Sequence, residues 1–305
     1  MIKIIDTYAQ INNLFVDGKF VLGKWKEYMN SIYDNAANLI FDKWKAYMNS
    51  IYDNAANLVI NDMNECLGSG AYVYEKDILP IIDAVYRHSD LELLYSSFCK
   101  VTDGLNKKVI DYFGHEVDID IVLYVGLCNG AGWVTNINGR DVILLGVEKI
   151  LELNWLDEAS MCGLIYHELG HAYHTQYGDF NQQSDISQQN FVWQLFTEGI
   201  AMYFEQILVN DFNYYHQDKN GWLKWCDNHL GAILADFHND LETMTSYNQR
   251  YFGDWVSYSG KGDVGYYLGT KFVQKLNEKY SFEELIKMKI ESVYQEFISY
   301  VESTM

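Results

Sequence analysis

His167-Glu168-Leu169-Gly170-His171 places two imidazoles four residues apart with a carboxylate beside the first. On an α-helix, positions i and i+4 share a face and lie about 6 Å apart along the axis. Two imidazole nitrogens so placed can reach one zinc ion at about 2.0–2.1 Å each. The Glu168 carboxylate projects to the flank, where it can take a proton from a water that the ion activates. Histidine is scarce, at 8 of 305 residues. The pattern therefore arises by chance in roughly one such chain in a hundred.

The surroundings read as helix. Trp155-Leu156-Asp157 looks like an entry, with Asp157 as N-cap and Ser160 in the first turn. Met161, Leu164, Ile165 and Ala172 recur at helical spacing and form an apolar face beside the histidines. Gly178 stands where a helix end favours a left-handed residue. The spacing thus predicts a helix over 158–177. Gly163 and Gly170 lie next to the histidine stripe, and their small size leaves room for a strand, a substrate or a metal to approach.

A zinc site that does chemistry needs a third protein ligand and an open fourth position. Glu198 is the candidate, in Phe196-Thr197-Glu198-Gly199-Ile200-Ala201. This segment predicts a second helix over 188–209, with Ser184, Asp185 or Ser187 as its cap. Phe191, Leu195, Met202 and Leu208 are its apolar positions, so an unpaired carboxylate among them would be costly to bury, and coordination to a cation offsets that cost. Gly199 in mid-helix costs about 1 kcal/mol relative to Ala. A close approach to the zinc helix is the expected reason.

His167-Glu168-x-x-His171 followed by Glu198-Gly199-x-Ala201 resembles the gluzincin clan of metallopeptidases, the thermolysin- and aminopeptidase N-like enzymes. The resemblance covers about 155–205. It implies His167, His171 and Glu198 as ligands to one Zn2+ per chain and Glu168 as general base. Twenty-six residues separate His171 from Glu198, more than is usual in the clan. The polar loop from Gly178 to Ser187 absorbs the excess. The metzincin alternative needs a third His six residues after His171, where Tyr177 stands.

Enzymes of the clan commonly use a downstream Tyr or His to stabilise an oxyanion. Asp263-Val264-Gly265-Tyr266-Tyr267-Leu268-Gly269 resembles a Gly-Tyr-x-x-Gly element that opens a C-terminal helix in zinc proteases of this type. That match makes Tyr266 the expected phenol donor, with Tyr267 as the alternative and His229 and His238 as rivals. His174 lies seven residues from His167 on the same face, and three such positions on one rigid helix cannot all reach one ion. It is expected either to line the substrate cleft or to stand in solvent. The loop Cys128-Asn129-Gly130-Ala131-Gly132 sits where aminopeptidases of the clan carry a Glu for the substrate amino terminus. No Glu occurs there, which favours cleavage within a chain, with Gly130 as a candidate substrate contact.

Ile119 to Val125 reads as a strand, and Trp133 to Leu145, with Asn138-Gly139 at its turn, reads as a hairpin. The expected fold is therefore α+β and predominantly helical, with a small mixed or antiparallel sheet at 118–146 preceding the zinc helix. The resemblance implies a gluzincin-like catalytic unit of two lobes. An edge strand in such a sheet can pair with an extended peptide backbone, so a peptide or protein substrate is expected.

Composition narrows the rest. The formal net charge of −20 disfavours nucleic acid and anionic membranes as partners. No apolar run reaches the length of a membrane span, and the first residues do not read as a signal peptide. Five cysteines without C-x-x-C spacing argue against a disulfide framework and a thiolate zinc site. A cytoplasmic protein is the expectation.

Residues 24–40 and 43–59 repeat with a period of 19 and two differences in seventeen positions. Two copies do not make a solenoid. They read as helical, with a break near Phe41-Asp42 that lets them pack as two helices. The expected organisation is a mainly helical region over 1–110 holding the duplication, then a catalytic region over 111–305. The latter ends in helices at 264–279 and 282–302, the second opened by the capping box Ser281-x-x-Glu284; residues 210–260 give no clear pattern. Against a zinc metallopeptidase stand two rivals: a catalytically inactive zinc- or peptide-binding protein of the same fold, and a metal-free helical interaction module built on the duplicated Trp/Tyr segment.

Overall fold

Asp120–Tyr124 is apolar without alternation after its first residue, the pattern of a strand covered on both faces. In the computed structural model, which describes residues 1–34, 55–68, 72–253 and 256–304, it is β4 of a four-stranded sheet. The other strands are β1 (Lys3–Asp6), β5 (Gly132–Ile137) and β6 (Arg140–Gly146), and the order is β1-β4-β6-β5. β1 and β6 flank β4 in parallel, pairing Ile4 with Ile121 and Ile121 with Ile143. β5 closes one edge antiparallel to β6, through a hairpin whose Asn138 and Gly139 both take positive φ (55° and 81°). The sheet is mixed, and it recruits a strand from the chain's start that lies outside the expected 118–146 span.

The chain divides into two compact units, Met1–Leu164 and Ile165–Met305. In the first, β2 (Phe15–Val16) and β3 (Lys19–Phe20) form a short antiparallel pair. The helices there are α1 (Leu22–Asp34), α2 (Ala55–Gly68), α3 (Leu79–Ala84), α4 (Leu91–Thr102), α5 (Leu105–Phe113) and α6 (Val147–Glu152). Most of the duplication, including the expected break at Phe41-Asp42, lies outside the described residues. Trp25, in the first copy, is fully buried and donates its indole N–H to the carbonyl of Val125 at 2.7 Å.

Helix α7 (Glu158–Tyr177) matches the expected 158–177 span, and Asp157 caps it by accepting the Ser160 N–H at 2.9 Å. Its end departs from expectation. Gly178 is not among the glycines of positive φ. Glycine is needed there for space, because a Cβ would run into the backbone carbonyl of Ile286.

Helix α8 (Ser187–Val209) starts after Ile186, and none of Ser184, Asp185 and Ser187 provides its N-cap. Ser184 instead exchanges two hydrogen bonds with the Asn190 side chain and accepts the N–H of Ile186 on its hydroxyl. Residues 210–260 contain a long helix, α9 (Trp222–Asp240), which buries Trp222, Cys226, Ile233, Leu234 and Phe237.

Helix α10 (Val264–Leu276) follows as expected. The single helix expected over 282–302 is split into α11 (Phe282–Leu285), opened by the expected capping box, and α12 (Ile290–Thr304). The loop after α7 holds the break. Asp179 N–H bonds to Ile286 O at 2.8 Å, while the Gln182 side chain donates to Met288 O and accepts Ile290 N–H.

Among the described residues no helix is long and apolar enough to cross a membrane. The four described cysteine side chains, Cys99, Cys128, Cys162 and Cys226, form no disulfide with one another.

Candidate metal centre

Helices α7, α8 and α10 meet through glycines. A Cβ on Gly170 would lie 2.7 Å from Ala201 Cα, so α7 and α8 touch backbone to backbone. A Cβ on Gly199 would strike the carbonyl of Gly269, and one on Gly269 would strike the carbonyl of Leu195. Gly199 therefore serves the α8–α10 contact, not the expected approach to the zinc helix, where Gly170 takes that part.

This packing brings three donors together. His167 Nε2 and His171 Nε2 are 3.1 Å apart, and Glu198 Oε2 lies 3.1 Å from the first and 3.2 Å from the second. His167 is buried, and the Glu198 side chain keeps 18% exposure. Three lone-pair atoms facing one point repel unless a proton or cation sits among them. Burial opposes the charge on Glu198, yet the attraction of His171 and the hydrogen bonds from both imidazoles outweigh it and hold its pKa well below the usual range. Burial likewise opposes protonation of His171, but Glu198 and then Glu168 lift its pKa.

The trio can hold a metal ion. A triangle of these sides has its centre about 1.8 Å from each corner, close to the about 2.0–2.1 Å at which imidazole and carboxylate would hold a zinc ion. Nδ1 of both His167 and His171 is buried without a hydrogen-bond partner. Each Nε2, the atom that would bind metal, faces inward to the cluster. The two-imidazole, one-carboxylate donor set fits zinc and equally other first-row divalent ions.

Glu168 is buried against this cluster. Burial raises its pKa, opposed by the charges of His167 and His171 and assisted by Glu198. The Tyr266 ring lies 5.5 Å from the His167 ring, edge to face, and 5.7 Å from Phe252. Tyr267 turns into the core instead. It is fully buried between Tyr215 and Trp222, and its hydroxyl donates to Asp227 at 2.7 Å.

His174, expected at a cleft or in solvent, has no exposed surface. It packs among Phe180, Trp193 and Phe196, and burial lowers its pKa to about 3. Both of its ring nitrogens are buried without a hydrogen-bond partner. His229 stacks on Trp225 and donates to its carbonyl, and His238 lies against Phe297. Gly130 belongs to the first unit, where its carbonyl rests against Gly146 tightly enough to exclude a side chain there.

Three neighbours carry no motif that the sequence reading used. Phe180 lies against both His171 and His174. Glu205, fully buried, has Oε2 3.9 Å from His167 Nδ1, while its two oxygens lie 3.1 and 3.0 Å from Nδ1 of His216. Glu205 follows Glu198 by two helical turns, and that spacing was the one signal available in the sequence. His216 and Phe180 sit in loops that give none. Compared with protein-family models, with curated proteins and with solved structures, the chain matches none.

Proposed function

We propose that this chain is a zinc metallopeptidase of gluzincin type, a two-lobed catalytic unit that hydrolyses peptide bonds in a peptide or protein substrate. His167, His171 and Glu198 hold one Zn2+, Glu168 is the general base, and Tyr266 is the oxyanion donor. The observation that carries this reading is the near-equilateral triangle of two imidazole nitrogens and a carboxylate oxygen, with a second carboxylate buried beside it.

Bound zinc supplies a Lewis acid that polarises a carbonyl and acidifies water. The chain's own groups do the rest. Glu168 takes the proton of the attacking water on its carboxylate and delivers it to the leaving amine nitrogen. The Tyr266 phenol donates a hydrogen bond to the oxygen that gains charge. His167 and His171, fixed one turn apart on α7, and Glu198, fixed on α8, set where that chemistry happens.

Metal analysis of the chain purified without added metal tests the reading first, with about one zinc per chain expected. Glu168→Gln is then expected to keep its zinc while hydrolysis of a peptide library falls by at least about 10²-fold. A wild-type chain that neither carries nor takes up metal sinks the proposal. Zinc-loaded wild type that cleaves nothing in the library makes it a zinc-binding protein without turnover.

A further inference from the structure

Nδ1 of His167 poses a problem of proton placement. When Nε2 of a neutral imidazole offers its lone pair to a cation, the ring proton must sit on Nδ1. A buried N–H without an acceptor is costly. In this structure His167 Nδ1 is buried and makes no hydrogen bond. The Glu205 carboxylate faces it at 3.9 Å, just beyond hydrogen-bond range. Seven residues on one helix return to nearly the same face, about 10 Å further along the axis. Helix α8 thus presents Glu198 to the Nε2 side of His167 and Glu205 to its Nδ1 side.

Glu205 is itself held from behind. His216 Nδ1 lies 3.0–3.1 Å from both its oxygens, and the His216 ring stands edge-on to His167 at 5.9 Å. The loop bearing His216 is pinned in turn. Gln206 donates to Tyr214 O at 2.9 Å, and Gln274 of α10 donates to Phe212 O at 2.8 Å.

We propose that Glu205 is a positioning residue for the metal centre, accepting the Nδ1–H of His167 when Nε2 binds the cation, and that His216 aims the carboxylate. This rests on the metal site described above. It adds that the two imidazole ligands are unequal, because among the described residues no carboxylate pairs with Nδ1 of His171, which is equally buried and unbonded. Carboxylates that orient a ligating imidazole also raise its basicity, and their loss typically weakens metal binding by 10–100-fold.

The test measures zinc affinity by chelator competition for the whole chain and for Glu205→Gln, compared with matched helix content. The variant is expected to bind zinc about 10–100-fold more weakly, and His216→Asn to weaken it in the same direction by less. In parallel, ring-¹⁵N histidine NMR of zinc-loaded wild type is expected to place the His167 proton on Nδ1, strongly deshielded and protected from exchange. A folded Glu205→Gln chain that binds zinc as tightly as wild type overturns the role of Glu205 and leaves the metal site standing. Wild type that binds no zinc overturns the metal site and this role together. Should Glu205→Gln fail to fold, the wild-type spectrum decides alone, and an Nδ1 proton that is absent or exchanges freely overturns the proposal.

Discussion

Glu198 shows how one residue can be both a cost and a signal. A carboxylate among Leu195, Met202 and their neighbours is tolerated because two imidazoles, and in the proposed state a cation, compensate its charge. Glu198→Ala is therefore expected to lose stoichiometric zinc on dialysis against a mild chelator while α8 stays helical by circular dichroism. Tyr266→Phe keeps the ring that packs on His167 and Phe252 but removes the phenol. The expected outcome is full zinc content, little change in KM and a kcat lower by about 10²-fold.

A third residue gives a pH signature away from the metal. Glu148 is buried in the first unit and takes N–H groups from Gly126 and Cys128. Burial dominates over those bonds and lifts its pKa from 4.5 to about 7. The folded state then binds a proton that the unfolded chain has released between these values. This contribution to stability is full below the unfolded pKa and lost as pH rises through the folded one. Denaturant midpoints measured from about pH 4.5 to 7 are expected to fall less steeply in Glu148→Gln than in wild type; identical slopes would show that the carboxyl is not protonated in the fold.

At the scale of elements, the helices that carry the motifs were legible and their ends and partners were not. Apolar spacing placed α7 and α8 to within a residue or two, although 160–174 and 192–208 are buried on nearly every side rather than on one face. Helix α9 escaped notice because its buried residues are interleaved with Asp, Asn and His, which blur the stripe. The break between α11 and α12 is written in Gln182, about a hundred residues upstream, whose side chain takes the backbone groups that would otherwise have continued the helix. Gly199 was recognisable as a contact glycine, but its partner was not.

That contact makes a prediction about packing. Gly199→Ala drives a methyl into the backbone of Gly269 and is expected to destabilise the protein by about 1–3 kcal/mol. Gly231, exposed on α9, has nothing within 4 Å of an added Cβ. Gly231→Ala is expected to be neutral or to stabilise by up to about 1 kcal/mol. Urea unfolding of the two variants checks both signs, and equal effects would argue against the α8–α10 contact.

For the molecule as a whole, a metal that binds only the folded state stabilises it by mass action. Free zinc at about 100 times its dissociation constant adds about 2.7 kcal/mol. Removing it with EDTA is expected to lower the thermal midpoint by roughly 4 °C, and to leave Glu198→Ala unmoved. A wild-type midpoint indifferent to EDTA would count against a metal in the native state.

The sequence by itself determined what depends on short-range spacing. Four residues on a helix put His167 and His171 on one face, an Asn-Gly turn made the hairpin, and Ser281 with Glu284 made a capping box. Only the tertiary structure decided what depends on surfaces meeting. Backbone-to-backbone approach at Gly170, Gly199 and Gly269 carries Glu198 to the histidines and Tyr266 beside them. Burial enclosed His174 and Tyr267 in the core and set Glu205 and His216 behind His167. The reason is that a side chain's reach is fixed by its own helix, whereas what it touches is fixed by the helix that packs against it.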